Sequence, residues 1–279
     1  MKKLLTIISV LAILNSANTY AQVCAGCPTV NAQIATGPST YICSGQTVAL
    51  TASSTPVLGA NTSSYAVTNI PYAAQPFAGG VMAVQNCDDC WGQVQNLPFP
   101  VCYYGNAFNQ FVAGSNGLLT FNTGVAGGYC PWPINAPWPN IVGCGTGNVL
   151  GAPWRDVINN AGVIVYYYTS GVAPFRTLVV YWNNVPYYSC GMIGGFGESV
   201  QLIFYESTSV IECHILRSVT CPWNNGAGIV GIQNVSGASS AIAPGRNFPG
   251  AWSANNEAWR YSPSPAVPSW TCTSPAGAI

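Results

Sequence analysis

Two aspartates in succession, Asp88 and Asp89, sit inside a Cys-x-x-Cys pair, and a third, Asp156, opens the stretch Asp156-Val-Ile-Asn-Asn160. In a chain with only 5% charged residues this grouping stands out. Calcium takes several hard oxygen ligands, among them carboxylates, backbone carbonyls and waters, so the two loops would supply part of a calcium site if the fold joined them. Aspartates at such places also cap turns by accepting backbone N–H bonds. No complete Asp-rich calcium loop is present, so capping is preferred and calcium is the alternative.

The cysteines are the second chemical resource. There are twelve: Cys24, Cys27, Cys43, Cys87, Cys90, Cys102, Cys130, Cys144, Cys190, Cys213, Cys221 and Cys272. An even number in an exported chain favours disulfides. The rival is a zinc site built from the two Cys-x-x-Cys pairs, Cys24/Cys27 and Cys87/Cys90. Those pairs lie far apart in sequence, and the chain has a single histidine. Neither pair sits at a strand-to-helix junction, as a thioredoxin-like redox role would require. The spacing makes Cys190 with Cys213 or Cys221 the natural local bridge, and Cys130 with Cys144 a candidate staple for the loop that holds them.

Three tryptophans, Trp132, Trp138 and Trp154, fall in a long Gly-, Pro- and Trp-rich stretch over 122–154. Large aromatics are more often packed than exposed. Packing is the preferred reading and a ligand platform the alternative. The residues for catalysis are sparse. His214 shares a strand face with Glu212 and reads as a solvated surface residue. Glu198, Glu206, Glu212 and Glu257 are available for glycoside hydrolysis, but nothing in their spacing singles out a pair. No Gly-x-Ser-x-Gly elbow occurs. A non-enzymatic role is expected.

These residues need elements to position them, and the elements read as strands. Arg176-Thr-Leu-Val-Val-Tyr-Trp182, Ser199-Val-Gln-Leu-Ile-Phe-Tyr205 and Val210-Ile-Glu-Cys-His-Ile-Leu216 are rich in β-branched and aromatic residues. The short polar Glu206-Ser-Thr-Ser209 joins the last two as a hairpin. Period two puts Val200, Leu202 and Phe204 on one face, and Ile211, Cys213 and Ile215 together on the next strand. The opposite face, with Glu212 and His214, reads as wet, as in an antiparallel sandwich. Gly114-Ser-Asn-Gly117 predicts a tight hairpin between strands at 108–113 and 118–121. The prolines of Leu97-Pro-Phe-Pro-Val-Cys-Tyr-Tyr104 mark an edge strand. Further strands are predicted over 163–168 and 228–233, and from Gln46 to Thr51. One helical turn is predicted near 255–259. The fold class expected is all-β: an antiparallel β-sandwich, stapled by disulfides, with long Gly/Pro/Trp-rich loops.

The chain has 279 residues, enough for one large β domain or two smaller ones. Met1-Lys2-Lys3, an apolar stretch from Leu4 to Leu14 and Thr19-Tyr20-Ala21 read as a secretory signal over 1–21. Residues 22–62 read as a short Cys-containing strand region, with Tyr41-Ile-Cys-Ser-Gly-Gln-Thr-Val-Ala-Leu50 like the opening of immunoglobulin- or PKD-like repeats. Residues 63–262 form the main module. Residues 263–279 read as a Pro/Ser-rich linker or the start of a further module. After signal cleavage five arginines face seven acids, a formal charge of −2, and no apolar run is long enough to span a bilayer. With no basic patch, nucleic acid is not an expected partner.

Several phrases resemble a module of large secreted and cell-surface proteins of gliding bacteria, whose members often carry a sorting domain for surface attachment. They are Ile70-Pro-Tyr72, Asp88-Asp89, Leu97-Pro-Phe99, Tyr104-Gly-Asn106, Gly114-Ser-Asn-Gly117, Ala173-Pro-Phe-Arg176, Leu202-Ile-Phe-Tyr-Glu206, Val210-Ile-Glu212, Gly231-Ile-Gln-Asn234, Pro244-Gly-Arg-Asn247 and Ala254-Asn-Asn-Glu-Ala-Trp-Arg260. The strand–hairpin–strand core is also similar, more faintly, to nidogen-type extracellular domains. The resemblance implies a secreted or surface-exposed structural or adhesive module. Extracellular polysaccharide or cell-surface matrix would be its partner, and a carbohydrate-binding module, with or without calcium, is the alternative.

Overall fold

The computed structural model describes residues 29–34, 50–55, 62–141, 143–158 and 163–264. β1 (Thr29–Ile34) and β2 (Leu50–Thr55) pair antiparallel as a separate two-stranded sheet. The strand expected over Gln46–Thr51 thus runs further along the chain. It pairs with a segment that no periodicity had marked, and residues 46–49 lie outside the described residues.

The main body is two antiparallel sheets. One has seven strands in the order β3 (Ser64–Ile70), β15 (Ala254–Ser264), β12 (Ile211–Ser218), β11 (Glu198–Tyr205), β10 (Thr177–Val185), β9 (Val163–Ser170) and β4 (Val81–Gln85). The other has six, in the order β14 (Ser240–Ile242), β13 (Ile229–Gln233), β8 (Val149–Trp154), β7 (Leu118–Thr120), β6 (Asn106–Ala113) and β5 (Gln95–Tyr103). The β11–β12 hairpin sits at the middle of the larger sheet, with Leu202 opposite Cys213. β5 is an edge strand, and its register slips between Asn96 and Val101, where Pro98 and Pro100 cannot donate to a ladder.

The inner faces form one core. Val200, Leu202 and Phe204 with Ile211, Cys213 and Ile215 meet Phe111, Leu119 and Leu150 from the smaller sheet. Phe121 and Phe204 lie edge to face across the gap at 6.1 Å. Trp182 crosses it to donate its indole N–H to the Gly114 carbonyl at 3.0 Å. Burial of these inward residues at roughly 1.5–3 kcal/mol each is the main force holding the sheets together.

Both outer faces are partly covered as well. Over the six-stranded sheet, the loop 122–148 lays down Ile134, Trp138, Cys130 and Cys144 against Val112, Leu118, Val149, Trp154 and Ile229. That loop is therefore held by burial. The staple expected between Cys130 and Cys144 is not formed: both are buried thiols, and Cys144 Sγ donates to backbone oxygens of its own turn, including Thr146 at 3.4 Å.

Over the seven-stranded sheet, the segment 71–80 packs on Val179, Tyr181 and Ile203 through Phe77. Gln201 and Gln75 exchange two hydrogen bonds, 3.0 and 2.6 Å. Tyr181 and Tyr168 donate to the carbonyls of Gly79 and Pro76. The face read as wet is thus covered at Gln201, Glu212 and His214, while Arg260 and Asn183 on the same face stay exposed. His214 is 1% exposed: its Nδ1 accepts from the Ala73 N–H at 3.4 Å and its Nε2 lies 2.8 Å from Glu212 Oε2. Because Nδ1 accepts, the proton of the neutral ring sits on Nε2 and points to the carboxylate.

The last strand also departs from expectation. Residues 255–259 do not form a helical turn but lie in β15, which pairs with β12 on one side and β3 on the other. Two ladders outweigh a weak local helix preference. β15 runs through Pro263 to Ser264, into the stretch read as linker; the remainder of that stretch lies outside the described residues. Among the described residues no helix is long and apolar enough to cross a membrane.

Candidate functional site

The turn Gly114-Ser-Asn-Gly117 joins β6 to β7 as expected, but its tip is not at the surface: Ser115 and Asn116 are fully buried. Gly117 has φ +72, and a Cβ there would collide with the Pro153 carbonyl, so only glycine fits. This close approach turns Asn116 into a hub. Its Nδ2 donates to Asp89 Oδ1 at 2.8 Å and to the Cys130 carbonyl at 3.1 Å. Its Oδ1 accepts from the Val157 N–H and its carbonyl from the Arg155 N–H, both at 3.2 Å. One buried amide therefore holds the Asp88–Asp89 turn, the Cys130 loop and the Asp156 segment together.

Asp156 faces outward from this hub. Its Oδ2 accepts the Trp223 indole N–H at 2.6 Å, and its backbone carbonyl accepts from the Tyr188 N–H at 3.3 Å. Burial pushes the Asp156 carboxyl up to about 6; the Trp223 bond works against this, while the negative charges of Asp89 and Asp88 add to it. Asp89 is raised too, by burial first, against the lowering bond from Asn116, with Asp88 adding to the rise. The three aspartates therefore lie close enough to feel one another. Among the described residues no group of three or more His, Cys, Asp or Glu side chains is arranged to hold a metal ion. One oxygen each of Asp89 and Asp156 is already committed as an acceptor.

Above Asp156 lies a cluster of rings. Trp223 is 39% exposed and Tyr188 is 38% exposed, with centroids 4.8 Å apart; half-buried Trp132 lies 5.7 Å from Trp223. Trp223 rides a tight turn in which Asn224 and Asn225 take positive φ, 48° and 57°. Asn224 Nδ2 donates to the Trp132 carbonyl at 3.3 Å. The Cys190–Cys221 disulfide clamps the base of the cluster, with Cα atoms 6.0 Å apart. Trp138 and Trp154, 2% and 1% exposed, are core residues whose burial rules out a platform role; Trp154 donates to the Pro131 carbonyl at 2.8 Å.

Beneath the rings, a cleft of about 10 Å³ is lined by Arg155, Asp156, Tyr187, Trp223 and the disulfide's Cys221. Arg155 is buried; its Nη2 donates to the Trp252 carbonyl at 2.7 Å, and its guanidinium lies 4.2 Å from the Trp252 ring centroid. Burial lowers the Arg155 pKa, and the charge of Glu198 opposes that. Glu198 is pushed by burial up to about 7, with Arg155 pulling it down.

Of the remaining cysteines, Cys87 and Cys90 form the second disulfide, with Cα atoms 5.9 Å apart. Cys213 is a buried thiol and Cys102 is buried. Cys24, Cys27, Cys43 and Cys272 lie outside the described residues. Tyr188 and Trp223 escaped sequence reasoning, yet a signal was present. Tyr188 stands two residues before Cys190, and Trp223 two after Cys221. Pairing those cysteines brings the rings together, tilted by 51°.

The disulfide-bearing antiparallel sandwich, with chain packed over part of each outer face and rings on its loops, is consistent with an extracellular-type structural module. The chain belongs to the family described as NIDO related, which matches residues 58–268. The nidogen-type likeness, the fainter of the two read from the sequence, is the one this match supports. No curated protein and no solved structure matches the chain.

Proposed function

We propose that the protein is a secreted or cell-surface module that works by attachment rather than by catalysis, holding extracellular polysaccharide or cell-surface matrix at the Tyr188–Trp223–Trp132 cluster. The single observation behind this reading is that Trp223, a large ring 39% exposed and two residues from the Cys190–Cys221 disulfide, is held by the buried Asp156 carboxylate. Rings fixed before binding lose little entropy on binding, and sugar faces stack on them while polar neighbours take the hydroxyls. The likeness to surface modules of gliding bacteria belongs to the same proposal and makes a bacterial surface glycan the natural partner.

Glycan-array binding of the purified protein, followed by calorimetry on the best hit, tests the reading. Trp223→Ala is expected to weaken binding about threefold to tenfold, the worth of one ring contact, with the fold retained. Binding to no glycan, or binding indifferent to Trp223, would rule the site out.

A further inference from the structure

The chain has five arginines and seven acids, all of them among the described residues. Three arginines make ion pairs: Arg176 with Glu206, Arg246 with Glu257 and Arg260 with Glu212. Arg155 is buried in the field of Glu198. Arg217 is the one left over, with no carboxylate partner among the described residues. In a chain with so few charges, an uncompensated guanidinium is a specific feature.

Arg217 is also held in place. On β12 it lies opposite Ser199 of β11, at the end of the sheet where the loop 186–197 returns. Its Nη2 donates to the Ile193 carbonyl at 3.1 Å, and its guanidinium carbon lies 4.8 Å from the Phe196 ring centroid. The Nε–H is buried without an acceptor. Beside it opens a depression of about 220 Å³ lined by Phe196, Ser199, Leu216, Arg217, Asn255 and Asn256. The lining thus combines one cation, one ring at 55% exposure and two exposed asparagines.

We infer that this depression is a subsite for the carboxylate of an acidic sugar, a uronate unit of the polysaccharide held at the aromatic cluster. The inference rests on the attachment reading above and names its ligand class. A planar guanidinium matches a planar carboxylate, and the fork keeps N–H donors uncommitted after the bond to Ile193. Phe196 offers an apolar face to the sugar ring, and the asparagine amides meet its hydroxyls. The volume is below the roughly 300–1,000 Å³ of a closed small-molecule pocket, which suits one unit of a longer chain. The same loop carries both parts, Tyr188 on the platform and Phe196 over Arg217, and Cys190–Cys221 pins it. With seven lysines and arginines against seven acids, the chain has no net positive charge to pull polyanions from a distance, so recognition is short-range and confined to this pocket.

The test is calorimetry with trigalacturonate and with its methyl ester, which keeps the sugar and removes the charge. Wild-type protein is expected to bind the acid at least about tenfold more tightly than the ester, as a charge-assisted contact should. Arg217→Gln is expected to bring the acid down to the ester's affinity while leaving the ester unchanged. Arg217→Lys is expected to restore only part, because a point charge lacks the fork. Glucose 6-sulfate serves as a competitor: weaker displacement than by galacturonate supports a carboxylate site, and equal or stronger displacement overturns it. Galacturonate alone should shift the Arg217 Nε resonance of the wild type, a readout that needs no variant to fold. Equal binding of acid and ester, full binding by Arg217→Gln, no shift at Nε, or no binding of either oligosaccharide would each overturn the inference. Equal binding of both that is lost in Trp223→Ala would overturn it while leaving the attachment reading intact.

Discussion

Trp223 donates its indole N–H to Asp156 Oδ2 at 2.6 Å, so the most exposed ring of the platform is aimed by a carboxylate that is itself 9% exposed. Asp156→Asn keeps an acceptor and is expected to hold the ring; Asp156→Ala removes it and is expected to free the ring. The fluorine resonance of 5-fluorotryptophan at position 223 should stay in place for the first variant and narrow toward a solvent-exposed value for the second. Because Asp89 and Asp156 already accept bonds from Asn116 and Trp223, calcium added to chelator-treated protein is expected to leave the melting temperature unchanged. A rise of several degrees that is lost in Asp156→Ala would instead assign a cation to the aspartates.

Stability should peak in mildly acid solution. Burial raises Glu198 to about 7 and Asp156 to about 6, so each binds its proton more tightly in the folded chain. Their contribution is present below the unfolded values and is lost as pH rises through the folded ones. Glu212 runs the other way. Burial alone would raise it, but bonds from His214, Tyr205 and Arg260 outweigh that and hold it at about 2. Its contribution is lost as pH falls toward that value. Thermal melts should therefore be highest near about pH 5 and fall on both sides, and Glu198→Gln should flatten the alkaline limb. A melting temperature that climbs steadily from about pH 5 to about pH 8 would contradict this assignment.

His214 is expected to behave as a core residue. Removing it leaves the Ala73 N–H without its acceptor and takes one of three donors from buried Glu212. His214→Ala should cost about 2–4 kcal/mol in denaturant unfolding, against under about 0.5 kcal/mol for a solvated surface site.

The cysteines should separate into two chemical groups. Cys130, Cys144 and Cys213 are buried, and burial raises each thiol, Cys130 to about 12. In native protein they should resist alkylation, then react fully in denaturant. Replacing Cys190 and Cys221 by serine opens a bridge between residues 31 apart and should cost about 2–4 kcal/mol. It should also weaken glycan binding, since Tyr188 and Trp223 lose their shared anchor.

What the sequence determined by itself was the inner half of the sandwich. Alternation at Val200, Leu202, Phe204 and at Ile211, Cys213, Ile215 fixed which side faces the core, because successive strand residues must point to opposite faces. The Gly114–Gly117 turn and the proline-marked edge at β5 were legible for similar local reasons, positive φ in one case and a missing donor in the other.

Only the tertiary structure decided what lay against the other faces. Gln201, Glu212 and His214 alternate like solvent-facing residues, and nothing local reveals that the segment 71–80 will bond Gln201 and His214 while Tyr205, His214 and Arg260 take the Glu212 carboxylate. Trp132, Trp138 and Trp154 look alike in one stretch of sequence, yet Trp154 ends β8 and packs with Trp138 over the sheet, while Trp132 stays half exposed at the rim. The site itself is assembled from residues far apart in sequence, with Asn116 bonding Asp89 and the Asp156 segment while a disulfide presents Tyr188 to Trp223. Period two tells a strand which side a residue takes; what occupies the space on that side is set by chain that returns from elsewhere.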